Sequence, residues 1–120
     1  MVKYDVYTYD KSTDSLFIAF PIEYEYEKVI PLEDDFLMEI DTKGYPRAVE
    51  ILNASSYFNV DKDLLNIPRK VHMEITVTDT KIIVEITLTL QNMDMIPLVE
   101  LVENNINIPC NNENIAISIS

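Results

Sequence analysis

The sequence has little of the residue types on which most catalytic and phosphate-binding motifs depend. Its 120 residues include one glycine, one cysteine (Cys110), one histidine (His72) and no tryptophan. A single glycine excludes the glycine-rich phosphate loop, the dinucleotide fingerprint and the G-x-S-x-G nucleophile elbow. A single cysteine excludes an intrachain disulfide and a zinc site built from several cysteines of one chain. With so few nucleophiles and general bases, the sequence predicts a non-enzymatic protein without a cofactor.

Positive charge and long apolar runs are also scarce. The chain has 9 basic and 21 acidic residues, a formal net charge of −12. Such a charge repels phosphate backbones, so we expect no nucleic-acid binding, and it accelerates the encounter with a basic protein. No segment approaches the ~20 apolar residues that span a bilayer. The first residues lack the apolar stretch of a secretory signal, so we expect a soluble, cytoplasmic protein that does not bind membranes.

The length and the apolar content favour one domain with a mainly β (β-rich α+β) fold. A chain of 120 residues with 48% hydrophobic residues can bury a sizeable core. We predict a single domain over residues 1–120, made of antiparallel hairpins in a meander with one or two short helices. Residues 1–65 would form the meander and a short helix, and residues 66–120 a hairpin extension on the same core. A homodimer that extends the sheet is the alternative.

Alternating apolar and polar residues predict two hairpins in the first half. The polar run DKSTD separates strands at residues 3–9 and 15–20, and Gly44 separates strands at residues 36–41 and 46–52. Glycine tolerates positive φ without strain, which a tight turn between strands requires. Between the hairpins, IEYEYE alternates strictly and predicts a further strand over residues 22–27.

After the second hairpin the alternation is lost, and short helical turns are predicted instead. Asn53 and Asp61 are candidate helix N-caps, and Pro68 prevents a helix from continuing past Asn66 or Ile67.

Two strands at KVHMEITVT and KIIVEITLTLQ, with a turn at residues 79–80, predict a third hairpin. If Val77 lies opposite Ile82, both apolar stripes fall on one face of the sheet. In that register Glu74 lies opposite Glu85, and like charges directly opposed across two strands are destabilising. A divalent cation would offset this repulsion, as would Lys81, a slip of register or solvent screening.

The last part of the chain gives weaker signals. Residues 96–104 fit either a short helix or a strand, and we favour the helix because Leu98, Leu101 and Val102 have helical spacing. The final run NIAISIS predicts an edge strand.

Acidic residues are concentrated between the two hairpins of the first half. An acidic surface for a basic partner is one interpretation, and a solvated strand face that resists edge-to-edge aggregation is the other. The candidate partner-binding residues are Glu23, Glu25, Glu27, Glu33, Asp34 and Asp35.

Glu50 is a lone carboxylate in the apolar strand RAVEIL. It shares a face with Ala48 and Leu52, and it precedes Asn53 and Ser55, whose run NAS offers backbone N–H groups at a helix start. A partly buried carboxylate must be paired or hydrogen-bonded. We therefore favour a structural role in which Glu50 ties the strand to the following turn, and a ligand-facing acid is the alternative.

Several of these residues resemble one family. Tyr9-Asp10, Asp14-Ser15-Leu16-Phe17-Ile18, Ile40-Asp41, Gly44 and Val49 to Ser55 are similar to the pattern of the prokaryotic domain of unknown function 2283, over residues 4–65. The resemblance implies a β-meander that ends in a short helix, and it implies no activity. Some members look like small proteins paired with a toxin partner, which implies an antitoxin-like role.

These observations favour a non-enzymatic protein-interaction module that binds a basic partner. The alternative is a small-ligand or divalent-metal binding domain that uses Glu50 or the pair Glu74 and Glu85. A small hydrolase that uses Glu50 or His72 is a third hypothesis.

Overall fold

The computed structural model describes residues 6–90, 99–104 and 113–119, the last two ranges as backbone only. The chain divides into two compact units, Met1–Asn66 and Ile67–Ser120. Each unit contains an antiparallel sheet, and two short helices lie in the first, so the prediction of a β-rich antiparallel fold with short helices is confirmed. That residues 66–120 share a core with residues 1–65 stays a prediction.

The first unit is built on a five-stranded sheet in which both predicted hairpins are present. The sheet order is β1-β2-β5-β4-β3, so β5 is central and β1 and β3 are edges. The strands are β1 (Tyr7–Asp10), β2 (Ser15–Ala19), β3 (Tyr26–Glu33), β4 (Phe36–Asp41) and β5 (Pro46–Ile51). Gly44 forms the turn between β4 and β5 with φ 87°, as its unique position predicted.

One face of this sheet forms the core of the unit. Leu16 and Ile18 from β2 and Val49 and Ile51 from β5 are fully buried, and they are cross-strand partners in the register of the sheet. Ala54, Phe58 and Leu65 from the helical segment are buried as well. The alternation read from the sequence therefore assigns the core face correctly.

Two short helices follow β5, where the alternation ends. They are α1 (Ala54–Phe58) and α2 (Lys62–Leu65), and their N-cap positions are Asn53 and Asp61, as predicted. Neither cap side chain makes the capping hydrogen bond. Asn53 has φ 52°, a left-handed conformation that asparagine tolerates better than most residues, so its role is to turn the chain out of β5.

The second unit contains a four-stranded sheet in the order β8-β7-β6-β9. The strands are β6 (Lys70–Val77), β7 (Lys81–Thr89), β8 (Val99–Asn104) and β9 (Glu113–Ile119). Val77 pairs with Ile82 and Ile75 with Val84, which confirms the predicted register of the third hairpin. The apolar stripes of β6 and β7 are buried on one face, at 0–3% exposure. The position of β9 at an edge also agrees with the sequence.

Two secondary-structure predictions are wrong. Residues 22–25 do not form a strand, and the strand that begins at Tyr26 continues through Pro31 to Glu33. Proline is tolerated there because β3 is an edge strand, which leaves one side of its backbone without a sheet partner.

The favoured helix over residues 96–104 is the second error, at least from Val99 onward. Residues 99–104 form β8 and pair with β7, for example Leu101 with Val84. The unpaired edge of β7 offers a row of backbone partners, and this outweighs a helical spacing of only three residues. Residues 91–98, which include the first part of this predicted helix, lie outside the described residues.

Candidate functional site

Asp14 is the centre of a buried hydrogen-bond network in the first unit. Its carboxylate accepts the Tyr9 hydroxyl at 2.6 Å, the Ser55 backbone N–H at 3.0 Å and the Ser55 hydroxyl at 2.7 Å. Its backbone oxygen also accepts the N–H of Ala54. Burial alone would raise the pKa of Asp14, but these hydrogen bonds outweigh it and hold the pKa below its ordinary value. Asp14 therefore joins the β1–β2 turn to the start of α1.

Asp41 organises the second hairpin turn in the same way. One carboxylate oxygen accepts the backbone N–H groups of Lys43 and Tyr45, both at 2.9 Å, and the other accepts Arg47 Nε at 2.7 Å. Asp41 and Arg47 expose only 5% and 17% of their side chains. Burial would raise the pKa of Asp41, and the N–H groups of Tyr45 and Lys43 together with the Arg47 guanidinium lower it below its ordinary value.

Two further polar residues of the family pattern, Asp10 and Asn53, also make hydrogen bonds within the fold, and Glu50 does not. Asp10 accepts the N–H and hydroxyl of Ser12, and the Asn53 amide donates to Asp35 at 3.3 Å. Glu50 has no side-chain hydrogen bond or ion pair among the described residues.

The tie predicted between Glu50 and the turn after its strand is absent among the described residues, where the Glu50 side chain has no hydrogen bond. Of the N–H groups in the run NAS, that of Ser55 is bonded to the Asp14 carboxylate. Glu50 is half-buried as predicted, and its cross-strand neighbours are Phe17 and Leu37. No local pattern marks Asp14 for this role, because Ser55 lies 41 residues further along the chain. Glu50 as a ligand-facing acid stays a prediction.

The six acidic candidates fall into two groups at opposite ends of the edge strand β3. Glu23, Glu25 and Glu27 are exposed, and their side chains have no partner among the described residues. We call these three residues the free acidic group. At the other end, Glu33 accepts the Tyr57 hydroxyl at 2.6 Å and Asp35 accepts the Asn53 amide, while Asp34 is exposed in the turn.

Glu23 and Glu25 of the free acidic group line an open groove of about 470 Å³. Arg47, held by Asp41 and lying 5.4 Å from the centre of the Tyr45 ring, forms part of its wall. Tyr24 also lines the groove and donates its hydroxyl to Glu39 of β4. The groove is lined by Glu23, Tyr24, Glu25, Asp41, Thr42, Lys43 and Arg47.

Sequence reasoning identified two of the three acids that line this groove, Glu23 and Glu25, but it did not identify the other lining residues. The walls come from segments that are far apart in the chain, and the backbone bond from Thr42 N–H to the Glu25 oxygen holds those segments together. The Asp41-x-x-Gly44 spacing was a usable signal for an Asp-organised turn. Nothing local indicates that residues 23–25 return to this turn.

In the second unit, Glu74 does lie opposite Glu85, and both are half-buried. His72 Nε2 lies 4.0 Å from Glu74 Oε1, on the same polar face. Within residues 6–90 and the two described strands beyond them, no group of three or more His, Cys, Asp or Glu side chains could hold a metal ion. Metal binding by Glu74 and Glu85 stays a prediction.

Comparison with protein families gives one match. Residues 7–55 match the family described as a protein of unknown function, DUF2283. Over this segment, which is less than half of the 120 residues, the chain is similar to DUF2283. The match ends at Ser55, in the first turn of α1, so the matched segment, called here the DUF2283 segment, contains the whole five-stranded sheet and both networks around Asp14 and Asp41. Comparisons with curated proteins and with solved structures give no match.

The helices of the described ranges are short. None of them is long and apolar enough to cross a membrane.

Proposed function

We propose that this protein is a non-enzymatic interaction module that binds a basic protein partner through the free acidic group and the adjoining groove. The observation that carries the proposal is that Glu23, Glu25 and Glu27 are exposed and have no partner among the described residues. Three neighbouring carboxylates that form no ion pair within the described residues are complementary to Lys and Arg side chains.

The net charge of the chain supports the same partner chemistry. At −12, the protein accelerates the encounter with a positively charged protein. In its most specific form, the proposal is an antitoxin-like module that masks a basic protein in the cytoplasm of a prokaryote. A homodimer is compatible with such a module.

The distribution of the acids supplies a matched control for this proposal. Replacing Glu23, Glu25 and Glu27 with Gln removes three charges from the free acidic group. Replacing Glu33 with Gln and Asp34 and Asp35 with Asn removes the same number of charges from the other end of β3.

The experiment uses the immobilised protein as bait in a lysate of its native host, with elution by a salt step and identification by mass spectrometry. We expect a stoichiometric basic protein that salt releases, because contacts between exposed charges are screened. The first triple variant should lose this protein and the second should retain it. Binding that is insensitive to salt, or lost equally in both variants, would contradict the proposed site.

A further inference from the structure

Glu50 lies on the face of the first sheet opposite the core. One row of cross-strand partners crosses all five strands, from Thr8 through Phe17, Glu50 and Leu37 to Pro31. Neighbouring strands lie about 4.8 Å apart, so this row is about 19 Å long. Phe17, Glu50 and Leu37 are half-buried, and Thr8 and Pro31 are exposed.

The neighbouring row on this face contains one carboxylate, that of Glu39. It runs from Ala19 through Ala48 and Glu39 to Val29. Glu39 accepts the hydroxyl of Tyr24, which also lines the groove beside the free acidic group. Neither row contains Lys, Arg or His. Glu50 is therefore a carboxylate in a largely apolar row, neither of the two described rows supplies a cation, and the face adjoins the groove.

This environment favours one kind of ligand. Partial burial removes water from the Glu50 carboxylate, and the cost is relieved when a cation with hydrogen-bond donors reaches it. A guanidinium group is more weakly hydrated than an ammonium group, binds a carboxylate with two parallel hydrogen bonds and stacks on aromatic rings. Phe17 and Leu37 are the cross-strand partners of Glu50, and they offer apolar contact to the residues that precede and follow such an arginine in the ligand.

We propose that Glu50 anchors an arginine side chain of an extended apolar-basic segment of the protein partner, which lies across this sheet face between Phe17 and Leu37. The inference rests on the proposed function, since it assigns the position of one cation of the same basic partner. It assigns to Glu50 a role in recognition, while Asp14 and Asp41 maintain the fold.

The test is a titration of the ¹⁵N-labelled protein with the peptide Ac-Leu-Arg-Leu-NH₂, followed by amide and side-chain chemical shifts. We expect shifts at Phe17, Leu37 and Glu50, and at least fivefold weaker binding to Glu50→Gln. The matched control Asp79→Asn removes the same charge from an exposed turn of the second unit and should change the affinity by less than twofold. Ac-Leu-Gln-Leu-NH₂ should produce none of these shifts.

Three results would overturn the inference. The first is an absence of shifts around Glu50, and the second is equal affinity for wild type and Glu50→Gln. The third is a loss of folding in Glu50→Gln, which would make Glu50 a structural residue. Shifts confined to the free acidic group, and removed by its triple variant, would overturn the inference while the proposed function stands.

Discussion

The two units are organised by different kinds of contact. In the first, buried carboxylates join segments far apart in the chain, as Asp14 does with Ser55, and Tyr7 of β1 donates to the backbone oxygen of Leu65 in α2 at 2.7 Å. In the second, the described hairpin has eight consecutive partner pairs from Lys70–Thr89 to Val77–Ile82, and its apolar stripe is buried on one face.

This difference indicates the structural role of the polar residues in the DUF2283 segment. A strict alternation is enough to set the register of β6 and β7, because a slip by one residue would expose every apolar side chain. The first unit has irregular pairing in β3 and β5 and left-handed residues at Asp14 and Asn53. Its networks hold these irregular segments in place, so the hydrogen-bonded acids Asp14 and Asp41 are structural, and Glu50 and the free acidic group are the candidates for recognition.

The largest effect is expected in the Asp41 network. Asp41→Ala removes the acceptor of two backbone N–H groups and leaves Arg47 largely buried without its counter-ion. Breaking a buried pair in this way costs about 3–5 kcal/mol of unfolding free energy. Urea denaturation followed by circular dichroism measures it, with Lys43→Ala, an exposed residue of the same turn, as the control. A loss below about 1 kcal/mol would show that the network contributes little.

In the second unit, we expect the buried apolar residues of β6 and β7 to contribute most of the unfolding free energy. Ile86 is fully buried and Ile83 of the same strand is half-buried on the opposite face. Ile86→Ala is expected to lower the unfolding free energy by about 2–5 kcal/mol, and Ile83→Ala by clearly less. Equal losses in urea denaturation would mean that the two faces of β7 are not distinguished as described.

We expect acid to destabilise the first unit more than the second. Because the folded-state pKa values of Asp14 and Asp41 are lowered, their stabilisation is complete well above the ordinary pKa of about 4 and is lost as pH falls through the folded-state values. Between pH 6 and pH 3, hydrogen-exchange protection of the Ile51 amide should therefore fall more than that of Ile86. Asp14→Asn should reduce the change at Ile51. A larger fall at Ile86 would contradict this order.

The comparison also explains how far sequence reasoning reached. Period-two alternation predicted the hairpins and the register from Val77–Ile82 to Met73–Ile86, because each residue's face depends on its immediate neighbours. Alternation at residues 22–25 was misleading, since it says nothing about whether a neighbouring strand is available. The Asp14–Ser55 contact was missed because side-chain partners 41 residues apart leave no local pattern.

For the candidate site, the sequence predicted the acidic residues but not the hydrogen bonds that divide them. Six acidic positions were identified, but their division into free and hydrogen-bonded groups depends on Tyr57 and Asn53, which reach β3 and its turn only in the folded chain. Glu50 is partly buried as predicted, and one N–H group of the run NAS that was expected to pair with it, that of Ser55, is bonded to Asp14 instead.

The measurement that tests the account most directly is the unfolding free energy of Asp14→Asn beside that of Glu50→Gln. Asparagine tolerates the φ of 55° at residue 14, so the first variant tests the charge and its hydrogen bonds alone. We expect Asp14→Asn to lose about 1–3 kcal/mol, because a buried N–H and two hydroxyl groups lose a charged acceptor. We expect Glu50→Gln to be as stable as the wild type or more stable. A loss in Glu50→Gln equal to that in Asp14→Asn would show that Glu50 maintains the fold, and the division between structural and recognition acids would be wrong.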